Sequence, residues 1–178
     1  QDQEADGSPV LEFRVPRTGN YQVQVHLSAA NEPQNFVALS LLQSSGQPIN
    51  ERDYRLQSNR FFTASAALFD ESPSLKWLNT PQGWAILGLG LRNDTPHDLT
   101  NLYLPAGEYK IAGTGAPTFK NLSLYLANAK GAFLGRSDTK RPFPFLQFEA
   151  PVAQPYQLRV APKGNKVSGL LLLGIFQH

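Results

Sequence analysis

The sequence predicts an all-β chain: an antiparallel β-sandwich, jelly-roll-like, with an internal duplication and one short helix. Three observations carry this. Apolar and polar residues alternate in short runs, most cleanly Tyr21, Val23, Val25 and Leu27 against Gln22, Gln24 and His26. Proline and glycine, 14 of each, punctuate the chain at strand-and-turn intervals. And one phrase recurs, in which a strand closes on proline and a tyrosine opens the next strand soon after. Its copies are Phe13-Arg-Val-Pro16 to Tyr21, Leu102-Tyr-Leu-Pro105 to Tyr109, and Phe148-Glu-Ala-Pro151 to Tyr156.

Each element has a local reason. Residues 1–9 are polar and are expected to be a flexible leader to a sandwich domain at 10–178, built as two sub-repeats, 10–98 and 99–178. Leu11, Phe13 and Val15 alternate with Glu12 and Arg14, and Pro16 stops that strand because proline has no N–H for the ladder. Thr18-Gly19-Asn20 is turn chemistry, and the Tyr21 strand follows. Phe36 to Leu42 reads as a strand ended by Ser44-Ser45-Gly46. Phe61, Phe62, Ala64, Ala66 and Leu68 fit a strand, although the alanines also allow a helix. Ser72-Pro73 before Leu75 to Leu78 reads as the capped start of one or two helical turns, since proline suits the first helical position.

Gly83 to Arg92 is apolar on both faces, as in a strand buried on both sides. Asn93-Asp94-Thr95-Pro96 marks a loop. The second copy of the phrase is read as a hairpin over Leu99 to Gly113, followed by a strand from Thr118 to Ala127. Residues 128–142 are polar and read as a loop. The third copy is read as a hairpin over Phe145 to Ala161, and Val167 to Phe176 closes the chain as a strand. In-phase neighbours predict that Tyr21, Tyr109 and Tyr156 are buried and His26 exposed. The pattern as a whole predicts under one-tenth helix.

Composition narrows the function classes. Of 178 residues, 41% are hydrophobic and only 17% charged, with a net charge of +2. No continuous basic face is present to bind nucleic acid. No apolar run approaches the length of a membrane-spanning helix. Without cysteine there is no disulfide, no thiolate metal site and no thiol nucleophile. Methionine is absent even at position 1. These features give the expectation of a processed, exported protein, periplasmic or extracellular.

The phrase ending Ala106-Gly107-Glu108-Tyr109, then a strand, then Leu122-Ser-Leu124 and a closing glycine at Gly131, resembles the bacterial pre-peptidase C-terminal domain. That family is an exported β-sandwich similar to carbohydrate-binding modules. The match runs from Leu102 to Leu126, with a weaker one from Phe13 to Gly46, about a third of the chain. Residues 50–98 have no place in it. The resemblance implies a binding role without catalysis.

The chemistry-bearing residues are sparse. His26, His97 and His178 are spaced unlike metal ligands and read as solvated. No nucleophile elbow or phosphate loop occurs. Asp70, Glu71 and Asp94 are the acids a small glycosidase would use, and Asp94 with Asp98 are the weak candidates for calcium. All four read more simply as turn acids. Tyr103 and Tyr125 are out of phase with Leu102, Leu104, Leu124 and Leu126, so they should project from the outer face of their sheets. Trp77 and Trp84 lie in the irregular stretch. Exposed planar rings are what sugars and partner proteins stack on.

The expectation is therefore a non-catalytic module with no cofactor that binds a carbohydrate or a protein partner through Tyr103 and Tyr125, with Trp77 and Trp84 as second choices. The alternatives are a small secreted hydrolase using the acidic residues, or a structural subunit whose Leu170 to Phe176 strand joins a partner's sheet.

Overall fold

The computed structural model describes residues 16–17, 42–43, 51–80, 84–92, 95–139, 142–163 and 168–178. Contacts divide the chain into Gln1–Val37 and Ala38–His178, and all the described helices and strands belong to the second unit. They are β1 (Leu42–Gln43), α1 (Glu51–Glu71), β2 (Lys76–Trp77), β3 (Ile86–Arg92), β4 (His97–Leu104), β5 (Gly107–Gly115), β6 (Asn121–Asn128), β7 (Phe133–Thr139), β8 (Phe145–Ala150), β9 (Gln154–Lys163) and β10 (Ser168–Gln177). The strands form two sheets. Sheet A runs β1-β3-β10-β5-β8, with β2 pairing the end of β10. Sheet B runs β4-β9-β6-β7. Among the described strands every pairing is antiparallel except β1 with β3. The all-β sandwich expected from the sequence is the fold.

In its two described copies the recurring phrase does not make hairpins. β4 pairs with β9 and β5 with β8, so both described Pro–Tyr connections carry the chain from one sheet to the other. Pro105 lies between β4 of sheet B and β5 of sheet A, and Pro151 between β8 of sheet A and β9 of sheet B. The two arches interlock. Tyr109 stands opposite Phe148, three residues before Pro151; Tyr156 stands opposite Leu102, three residues before Pro105.

Each arch closes the same way. The Tyr109 hydroxyl donates to the Pro105 carbonyl at 2.9 Å, and the Tyr156 hydroxyl to the Val152 carbonyl at 2.6 Å. Both partners lie four residues upstream, as in the tyrosine corner of other sandwiches. The rings are fully buried between the sheets, as their phase predicted. Burial, and then the neighbouring Tyr156, push the Tyr109 phenol above its ordinary pKa. Tyr21 and His26 lie outside the described residues.

The core between the sheets takes the inward residues of both. It includes Leu102 and Leu104 of β4, Leu122, Leu124 and Leu126 of β6, Leu158 and Val160 of β9, and Leu171, Leu173 and Ile175 of β10. β10 is apolar on both faces because sheet A is covered twice. Leu170 and Leu172 turn the other way, joining Phe61 and Ile86 in a second cluster beneath α1.

The long helix is the main departure from expectation. α1 alone has 21 residues, more than a tenth of the chain. Gln57, Phe61 and Ser65 are buried at intervals of four, flanked by half-buried Tyr54 and Leu68, which is one face of a helix. Two of those buried residues are polar, which hid the period. Ser72-Pro73 marks where the helix stops, not where one starts. A residue before proline is steered out of the α region, so the chain turns there. The amide of Ser72 still reaches back to the Leu68 carbonyl at 3.0 Å.

A close approach seats the helix. A Cβ on Gly174 of β10 would lie 2.8 Å from the Phe176 ring and 2.9 Å from Phe61 Cζ. Gly174→Ala is therefore expected to destabilise the protein by about 1–3 kcal/mol through overpacking. Denaturant unfolding with an unchanged m-value checks this, and no loss of stability would mean that α1 packs less closely on the sheet.

The stretch 128–142 read as a loop contains the sheet-edge strand β7. Of the described residues there only Ser137 is buried, and the turn-prone Gly135 faces the core, so no apolar alternation is left to read. The β6–β7 connection is a true hairpin. The Asn128 side-chain oxygen accepts from the amides of Lys130 and Ala132, both at 2.9 Å, and Gly131 takes φ +81°.

Candidate functional site

The outer face of sheet B is where chemistry and exposure coincide. Because Leu102, Leu104, Leu124, Leu126 and Leu158 point into the core, their neighbours Tyr103, Tyr125 and Arg159 point out. Both tyrosines are half-buried on this face. Residues 51–80 lie with sheet A and do not cover them: α1 packs on β10 and β5, and β2 pairs with β10.

A bulge sets the phase of β4. Leu99 pairs with Leu158 and Leu102 with Tyr156, so β4 carries one extra residue there, and Asn101 takes the left-handed φ of 66°. Without the bulge, Asp98 and Tyr103, an odd number of residues apart, would face opposite sides. With it they share the outer face.

Register then draws one row across the whole sheet. Asp98 of β4 is opposite Arg159 of β9, Arg159 is opposite Tyr125 of β6, and Tyr125 is opposite Arg136 of β7. Arg159 grips Asp98 with two bonds, Nε to Oδ1 at 2.6 Å and a terminal nitrogen to Oδ2 at 2.9 Å. Arg136 pairs with Asp138, whose Oδ1 also accepts from the Tyr125 hydroxyl at 3.3 Å. A hydrogen bond from Ser123 is the first cause holding the Asp138 carboxyl below the usual range, ahead of Arg136 and Tyr125. Phe133, opposite Ala127 on the same face, is 64% exposed.

The Arg159 hydrogen bond, with its charge, holds the Asp98 carboxyl below its ordinary value of 3.8. A depressed carboxyl pKa adds stability that is present above the unfolded value and lost as pH falls through the folded one. The pair is exposed and screened, so the gain is small. Carboxyl NMR titration should find Asp98 below an unpaired aspartate, and Arg159→Ala should move it up. An unmoved midpoint would mean that the pair is not held in solution.

The sequence-derived candidates divide between the two sheets. Tyr103 and Tyr125 share the outer face of sheet B but flank β9 from opposite sides, four residues apart along it, so roughly 16 Å separates their backbones. Trp77 stacks on Phe176 at 4.5 Å and touches Phe69 and Phe61, placing it in the cluster under α1. Trp84, 51% exposed, stands just before β3 of sheet A. Trp77 therefore cannot join the tyrosines in one site.

Asp98 faces Arg159, while Asp94 lies outside the described residues. No group of three His, Cys, Asp or Glu capable of holding a metal occurs among the described residues. Asp70 and Glu71 are exposed at the end of α1. His178 shares a hydrogen bond with exposed Ser74 at 3.2 Å, a pairing that sequence spacing could not give. An apolar groove of about 180 Å³ lies between α1 and the start of β8; its buried Ser65 hydroxyl is donated to the Phe61 carbonyl.

Sequence reading missed Arg159 and Phe133, and it read Arg136 and Asp138 as part of a solvated polar loop where the structure has the strand β7. The alternation of Arg159 with Leu158 and Val160 already placed it outward, but nothing local paired it with Asp98.

No family model matches the chain, and no curated protein does. The likeness to the pre-peptidase C-terminal domain thus stays one of motif. Among solved structures the chain is similar to a family 6 carbohydrate-binding module from Clostridium cellulolyticum in complex with xylose, at 15% identity over 49% of this chain and 74% of that one, with a TM-score of 0.29. A likeness that slight leaves the functional reading to this chain's own residues.

Proposed function

We propose that the chain is an exported, non-catalytic module that binds carbohydrate on the outer face of sheet B. The observation that supports this reading most is the row Asp98, Arg159, Tyr125 and Arg136, in which an aromatic residue sits between two exposed arginines on the outer face of the sheet. Sugars present apolar ring faces rimmed by hydroxyls. A ring to stack on, flanked by oriented hydrogen-bond donors, matches that surface. A protein partner is favoured less, because the apolar centres of stable protein interfaces are depleted in charge, whereas Arg159 on the inner strand β9 forms an ion pair with Asp98.

A glycan array probed with the whole chain, alongside Tyr125→Ala, tests the reading. Binding by the parent and not by the variant supports it. An array blank for both proteins overturns it in favour of a protein ligand or a structural role.

A further inference from the structure

This inference rests on the carbohydrate reading and narrows the ligand class. We infer that the outer face of sheet B takes an uncharged, hydroxyl-rich glycan, with Arg159 and Arg136 serving as hydrogen-bond donors and not as an anion receptor.

The charge pattern is the ground for this. From β4 to β7 the row reads negative, positive, aromatic, positive, with Asp138 beside Arg136 returning a negative charge at the far edge. Two guanidiniums are matched by two carboxylates on the same face. An anionic sugar would find both guanidiniums of the row already paired, and would meet Asp98 and Asp138 at either end of it. A neutral sugar meets no such opposition.

The geometry of the Arg159 pair says what remains to bind with. Asp98 takes Nε–H and one terminal N–H, which is the side edge of the guanidinium. Of five N–H donors this leaves three, including the pair that forms the end-on fork. That fork is planar and fixed by the carboxylate behind it, so little side-chain freedom is left to lose. Two adjacent hydroxyl oxygens on a sugar ring are suitable acceptors for it. Tyr125 is the neighbour in register, placed to stack on the same ring or the next one. The row spans three inter-strand gaps, roughly 14 Å, which suits an oligosaccharide better than a single sugar.

The experiment is isothermal titration of the whole chain with cellohexaose, xylohexaose and hexagalacturonate, at low salt and at roughly tenfold higher salt. The expected result is that one of the neutral hexaoses binds, with affinity changing less than about twofold with salt. Arg159→Ala should weaken that binding about tenfold or more. Asp98→Asn should bring in salt-sensitive binding of hexagalacturonate, because it uncovers the Arg159 charge. Melting temperatures of both variants serve as the folding control.

If the parent chain prefers hexagalacturonate and loses it steeply with salt, this inference is overturned while the carbohydrate reading stands. If neutral binding survives Arg159→Ala unchanged, the donor role is overturned. If none of the three binds, the carbohydrate reading itself fails, and the inference with it.

Discussion

Replacing Tyr109 with alanine is expected to cost about 3–5 kcal/mol of folding stability, and Tyr156→Ala a similar amount, both read from denaturant unfolding. Each ring is 0% exposed. Tyr109 also stacks on Phe148, centroids 5.5 Å apart and planes 19° from parallel, so truncation removes ring contacts from both interlocked arches. Tyr109→Phe separates the two parts of the effect. It keeps the ring and removes only the bond to the Pro105 carbonyl, and should cost about 1–2 kcal/mol. A loss below about 1 kcal/mol for the alanine variant would mean that the ring is not in the core. The phenol adds an alkaline signature. A folded pKa raised above the ordinary 10.0 means that its stability contribution is complete below that value and fades as pH climbs through the folded one. The parent should therefore lose stability in strong alkali more steeply than Tyr109→Phe.

These arches show how much of the fold was legible and why the rest was not. A proline, a short turn and an in-phase tyrosine are local signals, and they placed strand ends and burial correctly for the two described copies. What the phrase could not say was which strand lies beside which. A hairpin and an arch between sheets share the same strand–turn–strand pattern; only the i−4 hydroxyl bond and the partners of Tyr109 and Tyr156 tell them apart. The helix was obscured for a different reason. Its buried stripe includes Gln57 and Ser65, so the period of 3.6 carried polar residues where apolar ones are sought. The site was half legible. Phase alone turned Tyr103 and Tyr125 outward, but the row through Asp98, Arg159 and Arg136 is a product of register across four strands and of one bulge at Asn101, neither of which a sequence pattern encodes.

The second large effect is expected at that face. Alanine at both Tyr103 and Tyr125 should abolish ligand binding while leaving stability within about 1 kcal/mol of the parent. Removing an aromatic anchor from a binding surface commonly costs about 2 kcal/mol or more, so two removals lower affinity by roughly a thousandfold, past detection for a weak ligand. The folded state should tolerate the change because both side chains project away from the core, on the sheet opposite the one that α1 covers. The single variants sharpen the result. Tyr125 stands in the row between Arg159 and Arg136, whereas Tyr103 stands opposite Pro155, roughly 16 Å off. Tyr125→Ala should therefore carry most of the loss with a short oligosaccharide. Tyr103→Ala should matter only once the ligand is long enough to reach both rings, so its effect should grow with chain length. Titration against a ladder of oligosaccharide lengths checks this. Equal losses at every length would put both rings on one sugar, which the register forbids; unfolding of the double variant would mean that the rings support the sheet and the ligand binds elsewhere.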